Sequence, residues 1–212
     1  MKAFRLGLAL LVAAMSVRAD NRSEAILNYA GSTSEIYSTI YSAINGPVGF
    51  TFQPLTTISV TELGYFDYIL TRPGSISVGL WAADGTLLAS NTITSGSLLL
   101  DQSRYESITP IFLQAGETYY VAAFSATGPF SAVAVDPNDG AANGYATSSP
   151  EIQIGQVAYE NNSVFGFPAT LDGLPGSAII APNFEFQVVP EPTALGLMGA
   201  GLFFWPVIRR RT

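Results

Sequence analysis

The sequence predicts an all-β fold, an antiparallel β-sandwich of jelly-roll-like type, flanked by an N-terminal signal helix and a C-terminal hydrophobic helix. Three observations carry this. Apolar residues alternate with polar ones in short runs, which is the period of a half-buried strand. Turn signals rich in Gly, Pro, Asn and Asp separate these runs along the chain. Charged residues make up only 12%, about half the ~25% of an average soluble domain, and a chain of 212 residues needs no second domain to bury a core. The domain order read from this is a signal peptide over residues 1–19, a sandwich over 20–188 and a tail over 189–212.

In chain order, the first strand signal is Ile58, Val60 and then Leu63 to Tyr65. The next is Ile76, Val78 and Leu80 within Ser75 to Ala82, followed by Asp84-Gly85 and a second run from Thr86 to Ile93. Asp-Gly between two alternating runs is a strong hairpin signal, because both residues tolerate positive φ. Ala115-Gly116-Glu117 is read in the same way, as a turn between Ile111 to Leu113 and Thr118 to Ser125. Further segments are Ser131 to Val135, Glu151 to Val157 and Phe184 to Val189, with turns at Gly128-Pro129, Asp136 to Gly140 and Gly173 to Gly176. Ile36, Ile40 and Ile44 have helical spacing among Ser, Thr and Tyr, and helix and strand both stay open there.

Both ends read as targeting signals. Lys2 and Arg5 precede an apolar run from Leu6 to Val17, and Val17-Arg18-Ala19 fits a signal-peptidase site, so cleavage is expected between Ala19 and Asp20. The run is about 12 residues, roughly 18 Å as a helix, short of the ~30 Å hydrocarbon core. At the other end, Val189-Pro190-Glu191-Pro192 precedes an apolar stretch from Ala194 to Ile208 and the cluster Arg209, Arg210 and Arg211. Fifteen residues span roughly 22 Å as a helix, enough for membrane insertion if the arginines snorkel and the bilayer thins. Those arginines act as a membrane stop and are expected on the cytoplasmic side. The two prolines hold the preceding residues extended and withhold hydrogen-bond donors, which leaves a stiff handle outside the membrane.

That order of motif, apolar span and basic cluster resembles the PEP-CTERM sorting signal. The resemblance implies recognition by an exosortase-like membrane enzyme in a bacterium that makes exopolysaccharide, with a membrane-bound stage before processing. A plain tail anchor behind a proline-rich linker is the other reading of the same residues. In the body, Val60 to Phe66, Leu80-Trp81 with Asp84-Gly85, Thr109-Pro110-Ile111, and Ala115-Gly116-Glu117-Thr118-Tyr119-Tyr120 resemble the secreted β-sandwich modules called domain of unknown function 4082, over roughly residues 48–127. That resemblance implies a fold and no activity.

Composition excludes several chemistries. The chain has no histidine and no cysteine, and its one lysine is Lys2, inside the segment expected to be removed. Ser-His, Ser-Lys and Cys-His nucleophiles and His-based zinc sites are therefore ruled out. Carboxylate pairs remain as the chemistry of a glycosidase. The pairs nearest in sequence are Asp20/Glu24, Glu62/Asp67 and Asp136/Asp139, and surface solvation is the simpler reading of each. Asp136-Pro137-Asn138-Asp139-Gly140 has calcium-loop residue types but is one residue short and lacks the bidentate Glu, so a tight Asx/Pro turn competes with it. No cofactor or metal is expected, and no enzymatic activity.

Between residues 20 and 190, three arginines face fifteen carboxylates. Such a body repels nucleic-acid phosphates and anionic membranes. Aromatic residues offer a last possibility: Trp81 and Tyr120 are candidate platforms for stacking a sugar, alongside Tyr105 and Tyr145, with core packing as the competing fate. Two expectations follow. One is an exported surface or matrix protein, structural or adhesive, whose partners are signal peptidase and the exosortase-like enzyme. The other is a module that binds exopolysaccharide.

Overall fold

The computed structural model describes residues 22–28, 46–67, 74–126, 133–135, 147–173, 176, 178–180 and 182–190. Two antiparallel sheets contain most of them. The five-stranded sheet runs in the order β1 (Ser23–Glu24), β15 (Pro182–Val188), β4 (Ile58–Phe66), β8 (Ser103–Leu113) and β7 (Leu98–Leu100). The six-stranded sheet runs β13 (Thr170–Asp172), β12 (Ile152–Tyr159), β3 (Val48–Pro54), β9 (Tyr119–Phe124), β5 (Ile76–Ala82) and β6 (Leu87–Ile93). Two short ladders complete it, β10 (Val133–Val135) with β14 (Ala178–Ile180) and β2 (Ile26–Asn28) with β11 (Thr147–Ser148).

The all-β expectation holds, and the described residues contain no helix. The two terminal helices, the candidate residues Ala19, Asp20, Glu191, Pro192, Arg209, Arg210 and Arg211, and the Ile36 to Ile44 segment lie outside the described residues. So do Tyr145 and the Asp136 to Gly140 turn.

One apolar core lies between the sheets, built by alternation. Val48, Phe50 and Phe52 enter it from β3, Val78 and Leu80 from β5, and Val121 and Ala123 from β9. Ile58, Val60, Leu63, Phe184 and Phe186 enter from the other sheet. Phe52 and Phe184 meet across the middle with ring centroids 4.8 Å apart. The phase change in β4, where Ile58 and Val60 are followed by Leu63 and Tyr65, has a cause in the ladder. Val60 pairs with Phe186 and Glu62 with Glu185, so against β15 Thr61 is the extra residue of a β-bulge. Against β8, where Val60 pairs with Ile111 and Glu62 with Ser107, the extra residues lie on β8, between Ser107 and Ile111.

The hairpin expected at Asp84-Gly85 forms between β5 and β6. Its loop has three residues: Gly85 N–H donates to Ala82 O (3.0 Å), Ala82 N–H to Thr86 O (2.9 Å), and Gly85 sits at φ 85°. This is a type I turn with a glycine bulge, and Asp84 tightens it by accepting a bond from Thr86 N–H at 2.9 Å.

The turn at Ala115-Gly116-Glu117 departs from the expectation. It joins no hairpin, because β8 pairs with β4 and β7 whereas β9 pairs with β3 and β5. The chain crosses there from one sheet to the other, and Gly116 N–H, at φ 77°, docks on Pro54 O at 2.8 Å. Turn residues mark where the chain reverses and carry no information about which ladder each arm joins.

Candidate functional site

Two surfaces outside the core gather the residues with chemical potential. On the six-stranded sheet, Trp81 follows Leu80 and therefore points away from the core, as the break in alternation predicts. Its cross-strand neighbour is Tyr120, whose neighbour in turn is Thr51. The indole lies back along its own strand over Gly79, where a Cβ would come within 2.2 Å of Trp81 Cη2. Any side chain at position 79 would displace the ring.

The two candidate stacking residues are thus adjacent on one face, and they are covered. The segment between β12 and β13 lays Phe165 at 5.5 Å and Phe167 at 6.5 Å from the Trp81 ring centroid, with Phe167 at 4.8 Å from Tyr120. Trp81 retains 2% exposure and Tyr120 is half-buried. In this conformation Trp81 presents no open face to a sugar, and Tyr120 is partly covered by the tilted Phe167 ring.

On the five-stranded sheet, Tyr105 has the equivalent position. It is the cross-strand partner of Gly64, and a Cβ there would meet its ring at 2.3 Å. The Tyr105 hydroxyl accepts a bond from Asn183 Nδ2 at 2.7 Å. Asn183 also clasps Ile26, donating to its carbonyl at 3.2 Å and accepting its N–H at 3.1 Å. Tyr105, placed among the stacking candidates, is therefore a buried hydrogen-bonding post.

Beside this network lies a row of carboxylates that no sequence pair anticipated. Glu24 pairs with Glu185 across β1 and β15, and Glu185 pairs with Glu62 across β15 and β4, so the three lie side by side on one face. All three are buried, Glu185 to 1% exposure. Arg22 Nη1 lies 3.0 Å from Glu62 Oε1 and 3.5 Å from Glu185 Oε2, and Ser107 Oγ lies 3.4 Å from Glu62 Oε1.

Burial pushes the Glu24 carboxyl up to about 7. A hydrogen bond with Tyr105 opposes that rise, and the charges of Asp101 and Glu185 add to it. A carboxyl with raised proton affinity beside a second carboxyl is one element of acid–base chemistry. A glycosidase also needs room for the sugar between them. Here the acids are in adjacent register and closed over, with Arg22 bridging two of them.

The sequence pair Glu62/Asp67 is separated in the fold. Asp67 Oδ2 instead accepts Arg104 Nε at 2.6 Å, and Arg104 Nη1 donates to Ser95 O (2.8 Å) and Ser97 O (3.1 Å). Among the described residues no group of three or more acids has metal-holding geometry.

Of the tail motif, Val189 and Pro190 are described. Val189 N–H closes the ladder beyond β15 by donating to Thr57 O at 2.9 Å, and Pro190 is exposed.

No curated protein matches the chain. Residues 39–174 match the family described as Domain of unknown function (DUF4082), a span that extends past the expected resemblance on both sides and takes in β10 to β13. With more than half of its length matched, the chain belongs to the Domain of unknown function (DUF4082) family.

Proposed function

We propose that the protein is an exported bacterial surface or matrix component, structural or adhesive and without catalysis, delivered by a PEP-CTERM and exosortase-type route. The observation that carries this reading is the junction at the end of β15. The ladder runs on to Val189, and the next residue is the exposed Pro190 of Pro190-Glu191-Pro192, so the motif begins at the last described rung of the sheet. The apolar stretch and Arg209 to Arg211 that follow supply the membrane stop.

The route is tested by expressing the full chain in a host with an exosortase and measuring the mass of the mature product. The expected result is loss of residues 1–19 and of the apolar tail, and retention of the tail in the Pro190→Ala/Pro192→Ala variant. Identical masses for both chains overturn the route.

A second reading has one observation in its favour, the placement of Trp81 and Tyr120 as cross-strand neighbours on a single face. It makes the body an exopolysaccharide-binding module in which Phe165 and Phe167 must first move aside. Saturable binding on a glycan array, gained on Phe167→Ala and lost on Tyr120→Ala, supports it; a flat array for wild type and both variants removes it.

A further inference from the structure

The row of Glu24, Glu185 and Glu62 opposes ordinary sheet packing, since like charges directly opposite one another on adjacent strands are destabilising and burial raises the cost. Arg22 compensates Glu62 and Glu185. For Glu24 the compensation is incomplete: its Oε1 is buried and has no hydrogen-bond partner among the described residues. The element that carries it is short. β1 has two residues at the sheet edge, and after it the segment is fixed by Ala25 N–H to Phe184 O at 2.9 Å, by Ser149 N–H to Ala25 O at 2.9 Å, by the Asn183 clasp on Ile26 and by the β2–β11 ladder, with Ala25 and Ile26 buried in the core.

We propose that residues 22–26 form a proton-gated strap, held against β15 while Glu24 is neutral and loosened from it when Glu24 ionises beside Glu185. The groups that face Glu24 among the described residues come from every packed element. They are Glu185 from β15, Glu62 on β4 beyond it, the Tyr105 hydroxyl from β8, Asp101 from the turn between β7 and β8, and Arg22 from the strap itself. The charges of Asp101 and Glu185 oppose its ionisation, and the one cation among these groups is engaged with Glu62 and Glu185. Loosening uncovers the free edge of β15, the strand from which the tail leaves.

The direction follows from the docked acid holding its proton up to about pH 7 and the undocked acid losing it near 4.5. Docking is fully favoured below 4.5, weakens as pH rises through that window, and is weakest above 7. A difference of this size changes the docking equilibrium by on the order of a hundredfold.

The test is hydrogen exchange on the full chain, read as protection relative to intrinsic rates at pH 5 and pH 8. Protection at Ala25 and Ile26 is expected to fall by about a hundredfold at the higher pH, with the Phe50 amide in the core unchanged. Glu24→Gln, which mimics the neutral acid, is expected to stay protected at both. The proposal is overturned if wild-type protection does not change, if Glu24→Gln loses protection in parallel, or if Phe50 opens in step with the strap. Should the variant not fold, a carbon-13 titration of the wild-type Glu24 carboxyl decides. A midpoint near 7 that tracks the Ala25 amide sustains the strap, and one near 4.5 sinks it.

Discussion

The outer faces of the two sheets are built on the same local device and closed by opposite chemistry. Each lays an aromatic ring over a glycine, Trp81 over Gly79 on one sheet and Tyr105 over Gly64 on the other. Over Trp81 the cover is apolar, two phenylalanine rings from one irregular segment. Beside Tyr105 the cover is polar, an asparagine clasp, an arginine and three acids. Ring contacts owe their strength to area and shape, and proton concentration leaves them alone. A buried polar network holds only while each group has its partner and its proper charge state. Two faces of one sandwich therefore answer differently to the same change in solution.

The largest expected effect that sharpens this contrast is Trp81→Ala. Removing a buried indole costs about 3–5 kcal/mol, and urea unfolding should show the same loss at pH 5 and pH 8. A loss that varied with pH would break the comparison. Next is Asn183→Ala, which strands the Ile26 amide and removes one of the Tyr105 hydroxyl's partners; a cost of about 2 kcal/mol is expected at about 1–3 kcal/mol per unsatisfied buried group. Its signature is local, with exchange rising first at Ile26.

Glu24→Gln follows. Because the native acid is pushed up to about 7, wild-type stability gains from Glu24 below pH 4.5 and gives that gain up as pH climbs to 7. Relative to the variant, wild type should lose on the order of 2 kcal/mol across that window, read as the difference between two urea curves at each pH. Parallel curves would remove the polar face's sensitivity. The smallest effect is Gly85→Ala in the hairpin that carries Trp81. Alanine at φ 85° costs about 1 kcal/mol, and the tryptophan emission maximum should not move.

Strand existence was legible because alternation is local. Ser75 to Ala82 and Thr86 to Ile93 are nearly the observed β5 and β6. The β4 phase slip was visible as Val60 followed by Leu63, and only the pairing with β15 identifies it as a bulge at Thr61. Ladder membership was not legible at Gly116, since that turn depends on where Pro54 lies in the fold. The carboxylate row escaped for the same reason. Glu24, Glu62 and Glu185 are far apart in the chain, and proximity in sequence selected Glu62/Asp67 and Asp20/Glu24 instead. The glycines were the available signal: Gly64 and Gly79 inside otherwise continuous strand patterns mark close approach of another group. Trp81 and Tyr120 were candidates for stacking with core packing as the competing fate, and their cover, Phe165 and Phe167, lies in a segment with no periodicity to reveal where it packs.

The position of β15 has a mechanical meaning. It is flanked on both sides, by β1 and β4, and its ladder runs on to Val189. A pull applied along β15 from that end loads the rungs joining β15 to β4 in shear, from Pro182 opposite Tyr65 to Val188 opposite Ile58. Such rungs must yield together, whereas a peeling load would open them one at a time. A body hung from this strand resists drag best along the line on which it hangs.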